Sequence, residues 1–135
     1  MNEYIELLKL FKVANQNIQI LHRNLIGANW FGDHEQLGEY YEHVQNDIDA
    51  FCETGNSFGV IEPTISDALN SYAEIEIKDR NAKESYEIVS QIFNNIIAQI
   101  NRIVDVPADV INKLQEAQIY YRVNASFKIA RAIKE

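Results

Sequence analysis

Four side chains in this sequence could do chemistry together: His22, His34, Asp49 and Glu53. Imidazole and carboxylate ligands suit iron, zinc or manganese, so a metal site is the first reading to test. All four lie in the stretch HRNLIGANWFGDHEQLGEYYEHVQNDIDAFCE, which also holds the remaining histidine, His43, the only tryptophan, Trp30, and the only cysteine, Cys52. A turn-forming run, IGANWFGD, separates the first two histidines. Asp49 and Glu53 are four apart, on one face of any helix that carries them.

The spacing constrains the site further. On one helix, His34 and Asp49 are 15 residues apart, roughly 22 Å along the axis at about 1.5 Å per residue. No single ion bridges that gap. Either the residues are unrelated, or a second copy of the chain supplies the missing half. An antiparallel two-fold pairing of this helix with its mate would bring His34 of one copy near Asp49 and Glu53 of the other. Such a contact is self-complementary and creates two identical sites.

At this point the segment resembles the ferroxidase region of the Dps family, the mini-ferritins. The resemblance rests on Leu21-His22, Asn24, Gly27, Asn29, the pair Trp30-Phe31, His34 twelve residues after His22, and Asp49-Ala-Phe-Cys-Glu53. It covers about residues 18–54 and continues elsewhere as helix pattern only. It implies a metal site between two-fold-related subunits, with histidines from one and acids from the other. It also implies a twelve-subunit shell and hydrogen peroxide as the oxidant of Fe(II). Two positions depart from the family pattern. Gly38 stands where an aspartate is usual, removing one carboxylate ligand. Arg23 stands where tryptophan is usual, putting a cation beside the site.

The composition bounds the alternatives. A chain of 135 residues, 47% hydrophobic and 24% charged, is expected to form one domain over residues 1–135. No apolar run is long enough to span a membrane and no signal-peptide pattern opens the chain. Cys52 is alone, which fits a reducing, cytoplasmic compartment. A net charge of −8 disfavours phosphate backbones and suits a protein that attracts cations. No lysine-rich tail is present, so DNA binding is not expected.

Helices must position the site. The first is expected over about 3–26, from apolar residues at three- and four-residue steps (Tyr4, Leu7, Leu8, Phe11, Ala14, Ile18, Leu21, Leu25). Leu10, Val13 and Ile20 add a second apolar face, expected to be buried against another subunit, and Asn15, Gln16 and Asn17 are read as facing solvent or such a contact. Gly27 and Asn29 break the helix. Gly32 or Asp33 then caps a second helix, which Gly55 ends as a left-handed cap. The irregular stretch to about Arg80 carries one short helix starting at Thr64 and running to about Ser71. A connection that long lets the flanking helices run parallel. Asn81-Ala-Lys-Glu84 reads as a capping box for a third helix reaching about Val104. Asp105-Val-Pro-Ala starts the fourth. The fold class is therefore all-α: a ferritin-like four-helix bundle, with a long crossover between helices 2 and 3 that carries a short extra helix.

Blander readings stand beside the sharp one. A histidine at a helix end is often a cap or a surface residue, and acids four apart often form a solvated face. His43 is expected to be exposed. Glu39, Glu42 and Asp47 are assigned to the solvated face, with Glu42 a substitute for the absent acid. Cys52 is read as packed, and Trp30 as packing at the corner. No glycine-rich phosphate loop, GxSxG or CxxC occurs. No Glu-x-x-His occurs either, which excludes di-iron centres housed inside one bundle. Taken with the resemblance, the expectation is iron binding, Fe(II) oxidation and storage by a homo-oligomer, with iron as the cargo and zinc or another divalent ion able to take its place. The competing expectation is a structural relative whose metal site has decayed. Only one tight metal position per site is expected, because Gly38 offers no oxygen.

Overall fold

Apolar periodicity produces helices throughout. The computed structural model describes residues 2–134. The helices are α1 (Asn2–Arg23), α2 (Trp30–Ser57), the short α3 (Ile65–Ser71), α4 (Ala82–Asn101) and α5 (Ala108–Val123). A π-helical segment, Asn124–Ile129, extends α5 into a last turn, Ala130–Ala132. No strand occurs among the described residues; the corner after α1 makes one isolated bridge, Leu25 with Arg80.

Cross-chain bonds give the helix directions. Tyr4 Oη donates to the Phe51 carbonyl at 2.5 Å at one end of the α1–α2 pair, while His22 and His34 meet at the other. These two helices are antiparallel. Gln99 Nε2, late in α4, donates to the Glu3 carbonyl at 2.8 Å, and Arg80, just before α4, pairs with the corner after α1. So α4 is also antiparallel to α1 and therefore parallel to α2. Tyr86 Oη donating to Asp33 Oδ1 at 2.8 Å joins their first turns. Lys113 to Thr54 at 3.0 Å and Tyr40 to Asn124 at 3.2 Å set α5 antiparallel to α2. This is the expected bundle, with α3 on the crossover between α2 and α4.

The core is the predicted stripes. Tyr4, Phe11, Phe51, Phe93, Ile96, Leu114 and Tyr121 are fully buried, each worth on the order of 1.5–3 kcal/mol of apolar burial. The second apolar face of α1 departs from expectation. Val13 and Ile20 are buried within one chain, beneath the crossover. Polar side chains of α1 tether that crossover. Asn17 donates to the Ala73 carbonyl at 3.2 Å and accepts from Ile75 N–H at 3.0 Å. Gln16 bonds Glu74, Lys12 pairs with Glu62 at 2.7 Å, and Tyr72 reaches Glu6. Asn15 turns the other way, to the Tyr41 carbonyl. The run Asn15–Asn17 is thus internal wiring rather than a solvent face.

Local signals place some boundaries and tertiary contacts place others. Asn81 and Glu84 form the expected capping box, and Thr64 caps α3 by accepting from Asp67 N–H. α2 begins earlier than expected, at Trp30 after Asn29, with no side-chain cap. It also runs past Gly55. That glycine is buried inside the helix, where a Cβ would lie 3.1 Å from the Tyr4 ring and 3.3 Å from Val60. The positive φ falls instead at Gly59 (φ 90). α1 and α4 each stop about three residues short of their expected ends, at Arg23 and Asn101.

Candidate metal centre

The two histidines converge because a tight corner folds the start of α2 back on the end of α1. Asn24 Nδ2 donates to the Ile20 carbonyl at 2.9 Å, closing the last turn of α1. Gly27 takes φ 136, a conformation that L side chains rarely adopt. Trp30 Nε1 donates back to the Leu25 carbonyl at 2.9 Å, fixing the first turn of α2.

Three rings stack there in order: Trp30, His34, His22. Ring centroids are 4.2 Å apart for Trp30 and His34 and 3.9 Å for His34 and His22, with planes within 17°. His34 Nδ1 donates to the His22 carbonyl at 3.0 Å, and His22 Nδ1 pairs with Gln19 Oε1 at 3.2 Å. Both Nε2 atoms therefore keep their lone pairs, as metal-binding imidazoles do when their Nδ1–H is held by an oxygen. Burial lowers the His22 pKa below its ordinary value, with His34 and Arg23 adding to the effect. The ring is held neutral, the form that binds a metal.

Gly38 faces this pair. A Cβ on Gly38 would lie 3.2 Å from His22 Nε2, and its next two neighbours would also belong to the His22 ring. Position 38 thus points at the histidines, as the family pattern requires of the residue there. The missing side chain is what admits the His22 ring so close to α2. Arg23 is exposed at the end of α1, acting on His22 through its charge.

Asp49 and Glu53 lie on the same continuous α2, both exposed, at the end remote from the histidines. Asp49 accepts a long 3.4 Å bond from Gln45. Among the described residues no three His, Cys, Asp or Glu side chains converge to hold an ion within one chain. The histidine half and the carboxylate half are separate features of one monomer.

Two residues expected on the outer face do something else. His43 is half-buried, stacked on Tyr120 with centroids 3.3 Å apart, and its Nε2 lies 3.3 Å from Asp47 Oδ2. Asp47 accepts from the buried Tyr121 Oη. The i,i+4 spacing of His43 and Asp47 signalled this pair, but its tyrosine partners lie over seventy residues away. Glu39 and Glu42 are exposed as expected, Cys52 is buried, and Trp30 packs at the corner while keeping 36% of its surface exposed.

The sequence matches no family model and no curated protein. Solved structures match well. Dps from Staphylococcus aureus superposes with a TM-score of 0.82 at 18% identity, over 99% of this chain and 94% of that one. Dps from Mycobacterium smegmatis gives 0.68 at 15% identity, over 90% and 82% respectively. The Helicobacter cinaedi protein CAIP gives 0.57 at 21% identity, over 96% and 94%. The chain has the Dps fold, the ferritin-like bundle with a helix-bearing crossover.

Proposed function

We propose that this chain is a single-domain, Dps-like iron-storage protein that binds Fe(II) between two-fold-related copies and oxidises it. His22 and His34 of one copy and Asp49 and Glu53 of its mate are the ligands. The observation that carries the reading is the pair of oriented imidazoles with free Nε2 atoms, placed about 22 Å along one rigid helix from two exposed acids. A two-fold pairing unites the halves twice over. Each Fe(II) gives one electron; hydrogen peroxide takes two, with two protons, and leaves as two waters. The assembly we expect is the twelve-subunit shell of the Dps likeness, and its place is the cytoplasm. A net charge of −8 supports cation uptake and argues against DNA as a partner.

Native mass spectrometry with anaerobic Fe(II) titration tests this. A multiple of two chains holding one ion per site, oxidised on adding peroxide, is the expected result. A stable monomer at micromolar concentration would overturn it. The second reading, a Dps-fold protein with a weakened site, is favoured by one observation: the His22 ring fills the space beside Gly38, where a further carboxylate would sit. Oligomers that neither take up nor oxidise iron would establish that reading instead.

A further inference from the structure

We infer that Gln19 is a positioning residue of the metal site, holding His22 in the one ring orientation and tautomer that presents Nε2. This rests on the reading of His22 as a ligand. The two histidines are fixed by different means. His34 Nδ1 bonds a backbone carbonyl at 3.0 Å, which accepts only, so main chain sets its tautomer. His22 Nδ1 bonds the Gln19 side-chain oxygen at 3.2 Å. That oxygen also accepts only, so His22 carries its proton on Nδ1.

The surroundings leave Gln19 as the single determinant. One face of the His22 ring is covered by His34 at 3.9 Å, which confines the ring to its plane. Within that plane it can still turn over, exchanging Nδ1 for Cδ2 on the edge facing Gln19. Only the nitrogen gains a bond there. The opposite edge meets Gly38, which has no side chain to bond either orientation. Gln19 sits one turn earlier on α1, half-buried, at the i,i+3 spacing that brings two side chains together. Oxygen partners at the remote nitrogen orient metal-binding imidazoles and raise their basicity, and their loss typically costs about 10–100-fold in metal affinity.

The test compares the native chain with Gln19→Leu, which removes the acceptor, and Gln19→Glu, which keeps one. Long-range 1H–15N correlation spectra of the metal-free, histidine-labelled protein read each tautomer, and anaerobic Co(II) and Fe(II) titrations read affinity. His34, held by main chain, reports that the corner is folded. We expect Nδ1–H on His22 in the native and Gln19→Glu proteins. Gln19→Leu should lose that signature, with affinity at least about tenfold lower, while His34 is unchanged. Native affinity in Gln19→Leu overturns the inference, and so does a loss of affinity with the tautomer unmoved. A native chain that binds neither ion defeats the shared-site reading itself, a distinct outcome.

Discussion

His22 and His34 are joined twice: His34 Nδ1 donates to the His22 carbonyl at 3.0 Å, and the rings stack with centroids 3.9 Å apart. One bond ties the start of α2 to the last turn of α1; the stack aligns the two imidazoles. Histidine ligands held this way lose little freedom when an ion arrives, which favours binding.

Trp30 reports on the pair. It is the only tryptophan and stacks on His34 at 4.2 Å. We expect Co(II) or Fe(II) to change its emission. In Glu53→Gln the metal-free spectrum should be native, because Glu53 is remote from the stack, while the ion concentration needed should rise at least about tenfold, since about 1.4 kcal/mol of lost binding is a factor of ten. An unchanged titration removes Glu53 from the site.

Gly38→Asp should bring a carboxylate to the histidines. Its Cβ would press on His22 Nε2 at 3.2 Å, so the ring must move by a few tenths of an ångström. Aspartate is the better helix former by a few tenths of a kcal/mol. We therefore expect a stability change within about 1 kcal/mol, with a higher Fe(II) stoichiometry and a faster oxidation. If neither rises, a carboxylate at position 38 does not reach the ion.

Stability should fall on acidification through His22. Its folded pKa lies below the ordinary value of 6.5, because burial, His34 and Arg23 disfavour the imidazolium. The unfolded chain therefore takes up a proton first. The contribution is fully present above pH 6.5 and is lost as pH falls toward the folded pKa. Melting curves between pH 7.5 and 5.5 should slope downward, and His22→Gln should flatten them. An equal slope in the variant assigns the effect to other groups.

Tyr121→Phe should destabilise the chain by about 1.5–3 kcal/mol, the range for a hydrogen bond to a charged group. Tyr121 is fully buried and donates to Asp47, which also faces His43. Urea unfolding measures this. A change under about 0.5 kcal/mol would show that water replaces the phenol without cost.

Cys52 should be inert while the chain is folded. It is buried, and burial together with nearby Glu62 pushes its thiol up to about 11. Little thiolate forms at pH 8. We expect an aromatic disulfide reagent to leave it unmodified there and to react within seconds in denaturant. Rapid labelling of the native protein would reveal an opening at the end of α2.

What could be read from the sequence was what local chemistry decides. Helical periodicity marked the four long helices, and Asn81-Glu84 and Thr64-Asp67 set their own caps by bonds within one turn. The start of α2 was not legible, because Trp30 is held by the Leu25 carbonyl rather than by a cap. Gly55 looked like a terminus, yet its missing side chain serves contact with Tyr4. Asn17 read as polar and therefore outward, whereas its amide bonds backbone groups 56 and 58 residues away. The histidine spacing carried the corner correctly, since twelve residues span one turn and its flanks. Gln19 went unnoticed because a glutamine on a helix gives no signal until its neighbour is known.

The π-helical stretch Asn124–Ile129 has a further bearing on how this chain tolerates change in length. Such a widened turn holds one residue more than the regular spiral needs. Asn124 occupies the gap, donating to the Tyr120 carbonyl at 2.9 Å and accepting from Tyr40. Deleting a single residue there would restore ordinary winding but rotate everything beyond it by about 100°. Ile129, now only 1% exposed, would swing out of the bundle. The extra residue therefore acts as a phase correction: it resets the angular frame of the last two turns so that their apolar side meets α4.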